Sequence, residues 1–209
     1  NIFKKAVHTI ACSADDIRSK ETSIDMIGSD LKDLVVDSEF MLVMARLEPD
    51  NQILEIIRAF SSEYREYNLV VAGKFYPKNN KYHKKLMQAA SDQVIFVGGV
   101  YAPTDKIYLR NNCLAYLHGH TVGGTNPSLV EALGSKSVII AHRNKYNCGV
   151  ASGGAIYFST EDELLGVLNS IYLLNFKKSR LIANKVFEKY AHEKIHEMYL
   201  STILQCGRR

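Results

Sequence analysis

The densest run of residues able to do chemistry is His118-Gly119-His120-Thr121-Val122-Gly123-Gly124-Thr125-Asn126-Pro127-Ser128-Leu129-Val130-Glu131-Ala132-Leu133-Gly134. Gly123 and Gly124 let a backbone come close to a ligand and reach positive φ. Asn126 is a good helix N-cap, Pro127 suits the first helical position, and Gly134 suits the position just past the end. A helix therefore begins directly behind the glycines. The amides of Ser128 and Leu129 are expected to be free and aimed at an anion, with the helix dipole behind them. A Gly-Gly pair alone is an ordinary strand–helix turn. The polar set of His118, His120, Thr121, Thr125 and Asn126 at the same place makes the segment a candidate phosphate-binding loop. No Gly-Lys-Ser/Thr follows, so it is not a Walker loop, and the GxGxxG spacing is absent.

Such a loop needs rigid elements around it. Short runs that are apolar throughout read as buried strands at Phe40–Ala45, Asn68–Gly73, Val94–Gly98, Cys113–His118, Ser137–Ala141 and Ala155–Phe158. Ile53, Ile56, Ile57 and Phe60 share one face of a helix, and further helices are expected over Tyr82–Ala90, from Pro103 to about Asn111, and over Pro127–Leu133. Thr160 with Glu163 forms a capping box at the start of another helix. The tail from Lys177 to about Gln205 reads as two helices broken near Tyr190-Ala191-His192. Apolar strands alternating with helices predict a doubly wound, mostly parallel α/β sheet, covered on both faces, whose ligands bind beyond the carboxyl ends of the strands. Residues 1–37 read as a linker or remnant of a preceding domain, with a strand at Val7–Cys12, a short helix from Ser13 and no firm pattern over Asp25–Asp37. Residues 38–175 are the α/β domain and residues 176–209 the C-terminal helices.

Bulk properties narrow the partners. The 209 residues are 46% hydrophobic, enough for one substantial core. The formal net charge is +4 with both signs interspersed. That balance does not call for nucleic acid, although anionic small molecules and membrane surfaces suit it. Lys78, Lys81, Lys84 and Lys85 form a modest basic face. Cys12, Cys113, Cys148 and Cys206 are far apart and form no CxxC pair, which predicts a reducing, cytoplasmic setting without structural disulfides. Cys113 is expected to be a buried small hydrophobe. No metal site is expected, because His118 and His120 lack a Cys/His pair at zinc spacing. There is no Asp-x-Asp; Asp15-Asp16 is a short acidic pair on an expected helix. No apolar stretch reaches the ~18 residues of a membrane span, and no secretory leader is visible. The chain opens on Asn1, and a piece of a longer protein is the expectation.

The loop and helix resemble the donor loop of glycosyltransferase family 4, whose enzymes have the two-domain GT-B fold. That family carries a spaced pair of glutamates, the second within a Leu-Glu-Ala-Met/Leu stretch ending in Gly. Here Val130-Glu131-Ala132-Leu133-Gly134 matches the second position, whereas the first falls on Gly123. The Gly-His-x-Val-Gly-Gly-Thr-Asn-Pro-Ser-Leu version is similar to bacterial capsule and lipopolysaccharide rhamnosyltransferases. Ala45-Arg46-Leu47-Glu48-Pro49-Asp50-Asn51 resembles the family's Gly-Arg-Leu-x-x-x-Lys, with Asn51 where Lys is usual. Ala72-Gly73-Lys74 and Val97-Gly98-Gly99 resemble its turns after the second and third strands.

The resemblance implies roles. Arg46 and backbone amides would stabilise the charge that develops on a departing nucleoside diphosphate. Gly123, Gly124, Thr125, Asn126, Ser128, Leu129, Lys74 and Gly98 would line the donor. Glu131 would accept from ribose hydroxyls, and His120 would donate to a phosphate or to the sugar. His118 is expected to be a packed core histidine. The donor would be a UDP- or dTDP-linked sugar, a hexose such as rhamnose, used with retention and without cofactor or metal. It would be moved onto a cell-surface polysaccharide precursor. The acceptor-binding N-terminal domain would be missing, leaving this chain inactive alone. A non-transferring relative such as a nucleotide-sugar epimerase, and a non-catalytic Rossmann-type interaction domain, remain alternatives. Phe187, Tyr190, Ile195, Met198, Tyr199 and Leu204 are expected to form a packing face. The other reading is peripheral contact with the inner face of a membrane.

Overall fold

The computed structural model describes residues 10–36 and 38–207, with the side chains of residues 206 and 207 excepted. Six strands form one parallel sheet: β1 (Phe40–Met44), β2 (Asn68–Ala72), β3 (Val94–Gly98), β4 (Ala115–His118), β5 (Val138–His142) and β6 (Ile156–Phe158). Their order is β3-β2-β1-β4-β5-β6. Each strand is short and mostly apolar on both faces because helices cover both sides. The side-chain period of a strand sorts the residues cleanly. Phe40 and Leu42 of β1 face one core, with α1 (Ser29–Val35), α4 (Pro103–Asn112), α5 (Pro127–Leu133), α6 (Lys145–Ala151) and α8 (Phe176–Phe187). Met41 and Val43 face the other, with α2 (Ile53–Ser61), α3 (Lys81–Ala89) and α7 (Glu161–Asn169). This is the doubly wound α/β architecture that the strand pattern predicts.

Helix punctuation follows local chemistry. The Asn126 side chain caps α5 by accepting from the Ser128 amide at 2.9 Å. Thr160 accepts from the Glu163 amide at 3.1 Å, and Glu163 returns a bond to the amide of Ser159 rather than to that of Thr160. Gly134 departs from expectation. Its φ is −83°, so it makes no left-handed cap. A Cβ there would lie 2.6 Å from the Phe187 ring and 2.7 Å from the Asp15 carbonyl, so the residue is small because α8 and the N-terminal segment press against it.

The N-terminal segment differs from its sequence reading. Of the strand expected at Val7–Cys12, residues 7–9 lie outside the described residues, and Ile10–Cys12 join no strand. Where a helix is expected from Ser13, the chain is irregular, with a bridge at Ala14 and a turn only at Arg18-Ser19, so Asp15 and Asp16 sit on no helix; Asp16 pairs with Arg18. Ala14 and Ile17 are buried, and Ala14 bridges Ala191. Ser29–Val35, where no pattern is visible, is helix α1, buried through Leu31 and Val35. At the other end the two helices α8 and α9 (His192–Gly207) break where expected. The expected packing face splits. Phe187 and Ile195 are buried and the Tyr190 hydroxyl donates to the Val150 carbonyl, whereas Met198, Tyr199 and Leu204 are exposed. Among the described residues, no helix is long and apolar enough to cross a membrane.

Candidate functional site

In this strand order, successive crossovers run outward in opposite directions from β1 and β4. A crevice therefore forms beyond the carboxyl ends of that pair. A cleft of about 580 Å³ opens there. Arg46 and Glu48 follow β1, Lys74 and Tyr76 follow β2, and Gly99, Val100 and Tyr101 follow β3. Arg110 of α4 and Ser128 and Glu131 of α5 close the far wall. Two glycines let the strand ends approach. A Cβ on Gly73 would lie 2.3 Å from the Ala45 carbonyl, and one on Gly119 would lie 2.3 Å from the Asn51 carbonyl.

The far wall is a buried polar network. Ser128 Oγ donates to the Met44 carbonyl at 3.0 Å, so the Tyr116 hydroxyl donates to Ser128 Oγ at 2.7 Å. The Arg110 guanidinium is almost wholly buried and lies over the Tyr116 ring, 5.3 Å from its centroid. It donates to the Ser128 carbonyl and to Ser128 Oγ, each at 3.3 Å, and pairs with Glu131 Oε2 at 2.5 Å. Burial raises the Tyr116 phenol above its ordinary value, which keeps it a neutral donor. Glu131 is half exposed, and its other oxygen forms no bond within this network.

Beside the cleft, the β4 loop is stitched to the turn at Pro49–Asn51. Asn51 is buried and its Nδ2 donates to the Arg46 carbonyl at 2.8 Å. Its Oδ1 therefore accepts from His120 Nδ1. The Thr121 amide and hydroxyl both donate to the Asp50 carbonyl at 2.9 Å. From the other side, Asn144 and Asn147 donate to the His120 carbonyl at 2.9 and 2.8 Å. Neutral His120 thus presents a bare Nε2, which accepts; it can donate from that atom only as imidazolium. His118 is buried, and its Nε2 finds no hydrogen-bond partner among the described residues. Asn147 lies beside it with its Nδ2 committed to the His120 and His142 carbonyls. Burial, then the neighbouring His120 ring and the Arg110 charge, push His118 down to about 3.

Residues 31–185 match the family model described as Glycosyl transferases group 1. The chain belongs to this family. Solved structures similar to this group 1 glycosyltransferase domain share its fold at low identity. A sucrose-phosphate synthase from Thermosynechococcus elongatus has a TM-score of 0.73 at 13% identity, over 95% of this chain and 52% of that one. Anabaena HepE, in complex with UDP and glucose, has a TM-score of 0.69 at 18% identity, over 87% and 55%. The C-terminal domain of a group 1 family protein, LpcC, from Francisella tularensis has a TM-score of 0.59 at 19% identity, over 74% and 87%. The chain thus spans about half the length of the first two. Among curated proteins, no sequence matches.

In this glycosyltransferase domain, Arg46, Lys74, Ser128 and Glu131 meet at one cleft. Gly98 does not line it, although φ there is +73° and its neighbour Gly99 does. His120, Gly123, Gly124, Thr125, Asn126 and Leu129 lie outside the cleft lining. Gly123 has the expected positive φ of +110°, with His120 Nε2 3.4 Å from where its Cβ would be. One expectation is corrected. The amides of Ser128 and Leu129 are not free: the first is capped by the Asn126 side chain and the second donates to the Asn126 carbonyl at 3.1 Å. A strong N-cap consumes the donors that an anion would use. Sequence reasoning missed Arg110 and Tyr116. An arginine near the end of a helix reads as solvated by default, and a tyrosine inside an apolar strand reads as packing.

Proposed function

We propose that this chain is the donor-binding half of a GT-B glycosyltransferase, taking a nucleoside diphosphate sugar in the cleft beyond β1 and β4. The observation that carries the reading is the meeting of two cations, Arg46 and Lys74, with the Arg110-held carboxylate of Glu131 around one cleft. The cations suit a diphosphate whose charge grows as the sugar leaves. The carboxylate suits the adjacent ribose, where one oxygen can accept from hydroxyls. HepE was solved with UDP and glucose, and the same class of ligand, UDP- or dTDP-linked, fits here. The likeness of the Gly-His-x-Val-Gly-Gly-Thr-Asn-Pro-Ser-Leu segment to rhamnosyltransferases supports a hexose such as rhamnose. The same likeness supports a cell-surface polysaccharide precursor as acceptor, retention of configuration, a cytoplasmic site of action and no metal or cofactor. The acceptor would be held by a domain outside this chain, so no transfer by this chain alone is expected.

Isothermal titration of the chain with UDP- and dTDP-sugars tests the reading. Heat of binding is expected with at least one. Arg46→Ala and Glu131→Ala are each expected to weaken it by roughly tenfold or more, the worth of a charge-assisted bond. No heat with any nucleotide sugar, or binding indifferent to both substitutions, would favour a non-catalytic interaction domain instead.

A further inference from the structure

Arg110 is a buried cation at the cleft wall that pairs with Glu131 but is given no contact with the ligand in the reading above. We infer that it is a positioning residue that holds Glu131 in one orientation and so sets how strongly the site reads the ribose hydroxyls of its ligand. The inference rests on the nucleotide reading of the cleft and deepens it.

The geometry gives Arg110 little other business. Its side chain is 3% exposed, against 49% for Glu131. A guanidinium carries a fixed charge and a rigid fork, so burying it requires partners arranged in its plane. Those partners are the Ser128 carbonyl and hydroxyl and the Glu131 carboxylate, with the Tyr116 ring beneath. Ser128 is itself tied to the Met44 carbonyl at the end of β1. The chain of contacts therefore runs from the sheet, through Ser128 and Arg110, to one oxygen of Glu131. A glutamate on an exposed helical position samples several rotamers in water. Here Oε2 is committed to Arg110, and Oε1 is the atom left to accept from a ligand at the cleft. Ordering that carboxylate before the ligand arrives removes an entropic cost from binding and sharpens its geometry. Removing Arg110 leaves Glu131 in place and charged but unaimed.

Titration of the chain with UDP and with 2′,3′-dideoxy-UDP, which lacks the ribose hydroxyls, reads this directly. The wild type is expected to prefer UDP by roughly tenfold or more, the worth of a hydrogen bond to a charged group. Arg110→Met keeps the packing over Tyr116, and its preference is expected to fall towards that of Glu131→Gln. The double variant is expected to prefer UDP no less than Glu131→Gln does, because Arg110 acts only through Glu131. A purely structural arginine would lower both affinities together, and an unchanged preference in Arg110→Met overturns the inference. So does a double variant whose loss is the product of the single losses. Thermal unfolding reports whether each variant is folded. If Arg110→Met is not, Arg110→Lys carries the same test: it keeps the charge and loses the fork, so its preference must drop below that of the wild type. A wild type that binds neither nucleotide overturns the nucleotide reading itself. One that binds both, with the preference untouched by Arg110→Met, overturns only the role of Arg110.

Discussion

His118 sits at the end of β4 with its ring buried and Nε2 unpartnered among the described residues, and it is held neutral with a value of about 3. In the unfolded chain an imidazole titrates near 6.5. Above that pH neither state binds the proton and the residue costs nothing. As pH falls below it, the unfolded chain takes up a proton that the folded chain refuses until pH approaches 3. Stability is therefore lost on acidification, by roughly 2 kcal/mol between pH 7 and pH 5. His142, lowered by burial, adds to the loss with the same sign. Urea unfolding at the two pH values should show a smaller loss for His118→Asn than for the wild type, and equal losses would refute the assignment. At this scale the sequence is readable where residue type and place agree. His118 ends an apolar run, and Glu131 stands in a Glu-Ala-Leu-Gly stretch. Arg110 and Asn51 are not readable in this way, because their roles come from partners distant in the chain: Glu131 for the first, His120 for the second.

At the scale of elements, the strands and the longer helices announce themselves because burial on both sheet faces leaves only apolar runs and amphipathic stretches. The short elements do not. Helix α6 begins at an Asn144 cap but buries Asn147 along with Val150 and Ala151, so a polar residue interrupts the short buried face that periodicity would need. Glycines carry a similar ambiguity. Gly123 and Gly134 look alike in sequence as loop punctuation, yet one supplies a φ of +110° and the other supplies absence of bulk. Gly119 belongs to the second kind. It is where the β4 loop crosses the turn at Pro49–Asn51, and a methyl group there would overlap the Asn51 carbonyl. Backbone cannot swing aside as a side chain can, so Gly119→Ala should cost roughly 1–3 kcal/mol. It should also disturb the Asn51–His120 bond. Gly124 is the control, since a Cβ there meets nothing within 4 Å. Gly124→Ala should stay within about 0.5 kcal/mol of the wild type in urea unfolding. Equal costs at the two sites would show that the crossing is not tight.

Across the whole molecule, the sheet order puts the cleft at the one place where neighbouring crossovers diverge, and the two cores hold that edge rigid. The C-terminal helices join mainly one of those cores, through Ala183, Val186 and Phe187, while Phe176 at the start of α8 rests against the other. Phe187 of α8 presses on Gly134, directly behind α5, and is 1% exposed. It therefore links the tail to the helix that carries Glu131. Beyond Ile195, α9 runs off this domain: Tyr199, Leu200, Ile203 and Leu204 are each at least half exposed. Folding stability of this chain should divide at the same point. Phe187→Ala removes a fully buried ring and should cost roughly 3–5 kcal/mol. Ile203→Glu and Leu204→Glu replace apolar groups already in water and should change stability by no more than about 0.5 kcal/mol. Chemical denaturation of the three variants separates the outcomes. A large loss from either glutamate substitution would mean that the end of α9 is packed in this chain. A small loss from Phe187→Ala would mean that the tail does not brace α5.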